Sequence, residues 1–163
     1  MTIEIFEPIK NDFNSVCFGC SPNNPTGLKM QFKAGTDSVI SDLIVPGHLC
    51  GWSQLIHGGV LTTILDEVMS WAAMHFLKQL VMTKTLNLTF LKPVYVGKQI
   101  RAIGKIKDGT GRHEVIMEGI VLNDKGQECV KSDSVFAILK PKIANRLGIT
   151  QDELPTWFED SKN

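Results

Sequence analysis

The stretch that decides the fold is Ile-His-Gly-Gly-Val-Leu-Thr-Thr-Ile-Leu-Asp-Glu-Val-Met-Ser-Trp-Ala-Ala-Met, residues 56–74. From Val60 onward apolar side chains occupy almost every side of a helical wheel, which predicts a helix from about Gly58 to Lys78 that is buried all round. Polar side chains interrupt it on one narrow stripe at three- and four-residue spacing, namely Thr62, Thr63, Asp66, Glu67 and Ser70. Because a buried carboxylate is costly unless it is paired or its pKa shifts, the stripe indicates a site.

The two ends of this site lie far apart along the helix. His57, Gly58 and Gly59 open the helix with unpaired N–H donors, which suit the oxyanion of acyl transfer, and Asp66 is the natural general base or nucleophile. Gly59 and Asp66 are seven residues apart, or ~10 Å at ~1.5 Å per residue, whereas a reacting carbonyl needs both groups within about 3–3.5 Å. The spacing therefore predicts an obligate dimer, in which antiparallel helices related by a twofold axis each supply one group.

Composition and charge exclude several classes of partner. The chain has 163 residues, which fits one domain, and its 17 basic and 17 acidic residues cancel, which argues against nucleic acid or an anionic membrane as the main partner. The helix is the nearest approach to a membrane span, but Asp66 and Glu67 at its middle would be costly in lipid. The segment Met1–Glu7 is acidic and lacks the layout of a signal peptide. We expect a cytoplasmic protein.

The flanking sequence predicts an α+β fold in which a curved antiparallel sheet of about six strands wraps the long central helix. Residues 1–26 are an irregular lead-in with a short helix near Ile9–Phe13, and residues 142–163 are a tail that Trp157 and Phe158 pin to the body. The domain between them, residues 27–141, has strands predicted at 28–33 and 39–45 as a hairpin, and at 81–91, 99–107, 113–122 and 128–139 as a meander with turns at 108–111 and 123–126.

The four cysteines, at positions 17, 20, 50 and 129, form no complete metal motif. Cys17-Phe18-Gly19-Cys20 is half of a zinc ribbon, but Cys50 and Cys129 do not form a second C-x-x-C. The prolines at 22 and 25 break the helix that a thioredoxin-like motif requires. His48, His75 and His113 show no metal-ligand spacing. We expect reduced structural thiols with no metal and no organic cofactor, and zinc and redox roles for Cys17 and Cys20 remain open alternatives.

The motifs Gly51-Trp52, Ile56-His57-Gly58-Gly59 and Leu65-Asp66-Glu67 resemble the acyl-CoA thioesterase branch of the hotdog-fold superfamily. The resemblance covers roughly residues 17–140, and residues 17–20 and 24–28 are similar to the lead-in of one sub-branch. It implies hydrolysis of an acyl-CoA thioester at a subunit interface of a homodimer or a dimer of dimers. In this scheme the N–H of Gly58 or Gly59 polarises the thioester carbonyl, and Asp66 from the neighbouring subunit activates water or attacks directly.

The resemblance also implies roles for residues around this motif. His57 orients the carbonyl side, and Thr83 matches a position where the family carries Ser or Thr near the attacking water. Gly51 stands where several relatives carry Asn, so Gln54 is the candidate for a substitute amide. The remaining expectations are that Trp52 and Trp71 are core or pocket walls, that Glu67 faces solvent or an interface charge, and that the substrate-binding set is Gly51, Trp52, Gln54 and Glu67.

The phosphates of CoA should be met by basic side chains, for which the candidates are Lys92, Arg101, Lys105, Lys107, Arg112 and Lys140. An alternative function is a non-catalytic hotdog module that binds an acyl-CoA or an acyl carrier ligand. Asp66 discriminates between the two functions, because a binding module needs no carboxylate at the reaction centre.

Overall fold

A 20-residue helix, α1 (Gly58–Leu77), packs against a curved antiparallel sheet of seven strands. The computed structural model describes residues 4–12, 14–107, 111–150 and 153–158. In chain order its strands and second helix are β1 (Glu7–Pro8), β2 (Lys33–Ala34), β3 (Ser38–Ile44), β4 (Leu80–Phe90), β5 (Gln99–Ile106), β6 (Glu114–Leu122), β7 (Glu128–Leu139) and α2 (Pro141–Arg146), with α1 between β3 and β4. The predicted fold class, a long helix wrapped by a curved antiparallel sheet, is confirmed.

The strand order is β1-β2-β3-β5-β6-β7-β4, which corrects the predicted meander. Strands β5, β6 and β7 do follow one another through turns. Strand β4, however, pairs with β7 from Leu80↔Leu139 to Phe90↔Val130 and forms one end of the sheet. The rule that a short turn makes sequential strands neighbours does not apply, because the connection between β4 and β5, residues 91–98, is long enough to cross over.

The segment before the helix differs from the prediction. The hairpin is present, with Lys33 opposite Ile40, but its first strand is only β2. Lys29 has a φ of 52°, which interrupts an extended chain, and the N–H of Met30 donates to the Gly19 carbonyl instead of to a neighbouring strand. The helix predicted near Ile9 is wrong for residues 9–12, where the chain is irregular after β1. Three parts of the predictions lie outside the described residues. They are residue 13 at the end of that helix, residues 1–3 of the N-terminus and residues 108–110 of one turn.

Helix α1 supplies much of the core but is not buried all round. Its buried side chains are Val60, Leu61, Ile64, Leu65, Val68, Met69, Trp71, Ala72 and Ala73. Trp71 is 1% exposed and its ring stacks on Phe32 with centroids 4.5 Å apart. The residues of the polar stripe are only half-buried in the single chain, so this stripe is the open side of α1. Among the described residues, no helix has both the length and the hydrophobicity to span a membrane.

Two glycines let α1 approach the sheet closely. Gly104 of β5 and Gly119 of β6 are directly opposite each other in the ladder. A Cβ at Gly104 would lie 2.6 Å from the backbone oxygen of Val68, and one at Gly119 would lie 2.9 Å from the Leu65 side chain. Because neither glycine has a side chain, the middle turns of α1 pack directly against the backbone of β5 and β6.

Replacing Gly104 by Ala should therefore destabilise the protein by about 1–3 kcal/mol, because the added methyl meets backbone that cannot rotate away. The measurement is the free energy of unfolding in urea. Gly47→Ala is the matched control, since no atom lies within 4 Å of a Cβ there. Equal destabilisation by both variants would contradict the close packing of α1 against Gly104.

The described part of the tail packs on the N-terminal segment. The Trp157 indole N–H donates to the Lys10 carbonyl at 3.1 Å, the Thr156 hydroxyl donates to Asp12 at 2.9 Å, and Phe158 is buried. These contacts agree with the expectation that Trp157 and Phe158 hold the tail, while the division of the chain at 26 and 141 stays a prediction.

Candidate active site

The N-terminus of α1 presents one backbone N–H without an acceptor. His57 is the N-cap residue, and its Nδ1 accepts a hydrogen bond from the Gly59 N–H at 3.0 Å. The Val60 N–H donates to the His57 carbonyl. Within the described part of the chain no acceptor bonds the Gly58 N–H. Of the two glycines predicted as oxyanion donors, Gly58 is thus the one whose N–H can meet a ligand.

The N-cap hydrogen bond also determines the tautomer of the neutral His57 ring. A ring nitrogen that accepts a hydrogen bond carries no proton, so the neutral ring has its proton on Nε2, on the side away from Gly59. Gly51 lies beside this ring, since a Cβ on Gly51 would stand 3.4 Å from it. Substrate binding by Gly51 stays a prediction.

The other two loop residues predicted to bind substrate have few contacts in the single chain. Trp52 is 87% exposed, so the expectation that it joins the core is wrong, whereas Trp71 is a core residue. Gln54 is exposed, and its carbonyl accepts a bond from the Val96 N–H at 2.9 Å. Substrate binding by Trp52 and Gln54 stays a prediction.

An apolar cavity of about 370 Å³ adjoins Gly58 at the start of α1. It is lined by Leu55, Ile56, Gly58, Leu61, Phe90, Leu91, Lys92, Pro93 and Val94. Its charged residue is Lys92, one of the predicted CoA contacts. A larger cavity of about 480 Å³ lies near the other end of α1, beside His75 and Trp157, and contains none of the predicted site residues. The cavity at Gly58 therefore combines apolar volume with a backbone donor.

Asp66 and Thr83, which the sequence assigned to one site, are in direct contact. The Thr83 hydroxyl donates to Asp66 Oδ1 at 2.5 Å from β4, next to a shift in the β4–β7 register. Burial raises the pKa of Asp66, the Thr83 hydrogen bond opposes that rise, and the negative charge of Cys17 adds to it. A carboxylate with a raised pKa and one orienting hydrogen bond has the properties of a general base.

The two halves of the predicted site do not meet within one chain. Asp66 follows Gly58 by eight residues on a continuous helix, which separates them by ~12 Å along its axis. A single carbonyl cannot contact both groups of one chain.

Glu67 lies in a different environment from the one expected. It accepts a hydrogen bond at 3.3 Å from the Cys17 thiol and is half-buried, whereas the sequence placed it toward solvent or an interface charge. Cys17 and Cys20 come to Glu67 from about fifty positions earlier in the chain. Nothing in the sequence pattern predicted this contact, because neither spacing nor periodicity links a loop cysteine to one face of a distant helix.

Three of the six predicted CoA contacts are engaged in ion pairs on the sheet. Arg101 pairs with Asp42, Lys105 with Glu118, and Lys107 with Asp133. Lys92 lines the cavity at the start of α1.

A comparison with known families finds a match over part of the chain. The sequence model described as the thioesterase superfamily matches residues 54–130. The match covers just under half of the 163-residue chain. The matched range contains His57, Gly58, Asp66 and Thr83, whereas the Cys17–Cys20 loop lies outside it.

The chain is similar to a curated protein and to solved structures, all at low identity. An uncharacterized protein of Schizosaccharomyces pombe is 28% identical over 109 residues, which are 64% of this chain and 61% of that protein. The chain thus spans about three fifths of the length of this relative. The crystal structure of a thioesterase superfamily protein superposes with a TM-score of 0.69 at 21% identity, over 75% of this chain and 60% of that one. A hypothetical thioesterase of Streptococcus pneumoniae TIGR4, crystallised with coenzyme A, superposes with a TM-score of 0.59 at 18% identity, over 63% of this chain and 79% of that one.

Proposed function

We propose that the protein hydrolyses an acyl-CoA thioester to a free acid and CoA, at a site that joins Gly58 of one subunit to Asp66 of the partner subunit. The observation that carries this proposal is the unbonded Gly58 N–H at the rim of an apolar cavity. An apolar cavity fits an acyl chain, and a helix N-terminus fits the negative charge that develops on the thioester oxygen.

The Asp66–Thr83 pair supplies the second half of the chemistry. Asp66 takes a proton from a water molecule, and the water oxygen attacks the carbonyl carbon while the Gly58 N–H bonds the resulting oxyanion. The tetrahedral intermediate then collapses, the carbon–sulfur bond breaks, and the CoA thiolate leaves with the proton returned by Asp66. Thr83 holds the carboxylate through its 2.5 Å hydrogen bond and leaves the second carboxylate oxygen for the water.

A direct attack by Asp66 on the carbonyl carbon is the other route. It would expel the thiolate and leave a mixed anhydride, which water would then cleave. Single turnover in ¹⁸O-labelled water separates the two routes: the general-base route places the label in the released acid, whereas cleavage of the anhydride at the Asp66 carbonyl places it in the protein.

The surface around Asp66 supports the dimer. Strand β4 is 11 residues long and forms one end of the sheet that the described residues build, so its outer edge can pair with a second copy. Met82 and Phe90 of this strand are exposed apolar side chains. The half-buried polar stripe of α1 opens beside β4, at the Asp66–Thr83 contact. A second copy on this side would bring its own α1 toward Asp66.

Two observations on related proteins support the choice of substrate. The Streptococcus pneumoniae thioesterase was crystallised with coenzyme A, and also as variants in which one aspartate or one threonine is replaced by alanine. An aspartate and a threonine also form the pair proposed as the reacting half of this site. In this chain Lys92 at the cavity is available to a CoA phosphate.

The test is release of free thiol from short, medium, long and aromatic acyl-CoAs by the purified protein, with Asp66→Asn measured beside it. Turnover of at least one class, lost in Asp66→Asn, is the expected result. Binding of CoA without turnover of any class would overturn the proposal in favour of the non-catalytic binding module.

A further inference from the structure

Cys17, Cys20 and Glu67 form a compact cluster that the proposed hydrolysis does not use. The two sulfur atoms and a carboxylate oxygen of Glu67 all lie within 4.8 Å of one another. Two of these ligand atoms come from the loop before β2 and one comes from α1. The sequence alone showed a C-x-x-C pair without further ligands, and the fold adds the third.

The loop that carries the two cysteines is hydrogen-bonded to the segments on either side of it and passes close to α1. The Leu28 N–H donates to the Phe18 carbonyl at 2.9 Å, and the Asn11 side chain donates to the Cys20 carbonyl at 2.6 Å. A Cβ on Gly19 would stand 2.4 Å from the Glu67 side chain, so only a glycine allows the loop to pass this close. The three ligand atoms are therefore brought together by packing and backbone hydrogen bonds, which makes the cluster a built feature of the fold.

The three ligand side chains lie together without an ion-paired cation among the described residues. In the part of the chain that the structure describes, no Lys, Arg or His forms an ion pair with Glu67. A half-buried group of thiolate and carboxylate donors is stabilised by a bound cation.

We propose that Cys17, Cys20 and Glu67 bind one Zn²⁺ ion, with water as the fourth ligand. Two thiolates and a carboxylate are common zinc donors, whereas Mg²⁺ and Ca²⁺ prefer oxygen ligands and iron–sulfur clusters use four cysteines. With Zn–S bonds of about 2.3 Å, a tetrahedral ion holds its two sulfurs about 3.8 Å apart. Ligand atoms that already lie within 4.8 Å of one another reach this geometry by small side-chain rotations.

The test is metal binding by the reduced, metal-stripped protein. The full chain is titrated with Zn²⁺, and with Co²⁺ as a spectroscopic probe, and the metal retained after gel filtration is counted. We expect one zinc per chain, and the intense near-ultraviolet absorption of thiolate-bound cobalt. Cys17→Ser and Cys20→Ser should abolish that absorption, and Glu67→Gln should weaken binding by more than about tenfold. Cys50→Ser is the matched control, because Cys50 is a free, exposed cysteine outside the cluster, and it should bind as the wild type does.

A second measurement needs no variant and so does not depend on whether the variants fold. Zinc should slow alkylation of Cys17 and Cys20, followed by mass spectrometry, and leave the rate at Cys50 unchanged. Equal alkylation rates with and without zinc, or equal cobalt spectra for wild type and Cys17→Ser, would overturn the proposal. So would formation of a Cys17–Cys20 disulfide in air with zinc present, which would make the pair a redox element. None of these measurements depends on thioester hydrolysis, so either proposal can fail while the other stands.

Discussion

Replacing Asp66 by Asn should lower kcat/KM for acyl-CoA hydrolysis by about 10²–10⁴-fold, the contribution of a positioned general base. An amide cannot accept the proton of the attacking water, but its oxygen can still accept the Thr83 hydrogen bond, so the local geometry should survive. Steady-state release of free thiol measures the effect. Asp124→Asn, on the exposed turn between β6 and β7, is the matched control and should retain wild-type activity.

The stability of the same variant separates a catalytic role from a structural one. The folded-state pKa of Asp66 is raised by burial, so its ionised form disfavours folding once the pH exceeds the unfolded-state pKa. Asp66→Asn should therefore have an unfolding midpoint at neutral pH that is equal to or above that of the wild type. A variant that loses activity and stability together would contradict the assignment of Asp66 as a base.

Replacing Gly58 by Pro should lower kcat by about 10²–10³-fold, the effect of removing one oxyanion donor. Gly58 is the first residue of α1, where proline is favoured because its missing N–H has no partner within the helix. The residue before a proline must be extended, and His57 already has φ −59° and ψ 136°. The substitution thus removes the donor without requiring a new backbone conformation.

Gly58→Ala is the control for size. A Cβ at this position lies 3.6 Å from Phe90, an ordinary contact, and the N–H remains. The alanine variant should keep most of the activity that the proline variant loses, as read from thiol release by the two proteins at equal concentration. Equal loss in both would mean that bulk at the cavity matters and that the N–H does not.

The sequence correctly predicted the helices and strands whose residue pattern lies within one short segment of the chain. The helix was placed at 58–78 and runs from Gly58 to Leu77, because its apolar pattern and its glycine start are local features. The strands after β4 agree within one residue, because alternation and turn residues mark them. Through the family resemblance, the sequence predicted that Thr83 and Asp66 belong to one site, but it did not predict their hydrogen bond.

What escaped prediction depends on contacts between distant segments. The side of β7 on which β4 lies follows from the crossover, and no local pattern encodes it. The assignment of Gly58, and not Gly59, as the oxyanion donor depends on the orientation of the His57 ring, which accepts a hydrogen bond from the Gly59 N–H. The meeting of Glu67 with Cys17 joins residues 50 positions apart, and only the packed loop reveals it. These are the features on which both proposals rest.

The central claim is that each active site takes Gly58 from one subunit and Asp66 from the other. Subunit exchange between the inactive Asp66→Asn and Gly58→Pro proteins tests it most directly. A mixed dimer would hold one site with both groups intact and one with neither. Random exchange of equal amounts should thus restore about a quarter of the wild-type rate. If thiol release by the mixture stays at the level of the separate variants, after exchange has been verified by mass spectrometry of the intact dimer, the shared site is contradicted.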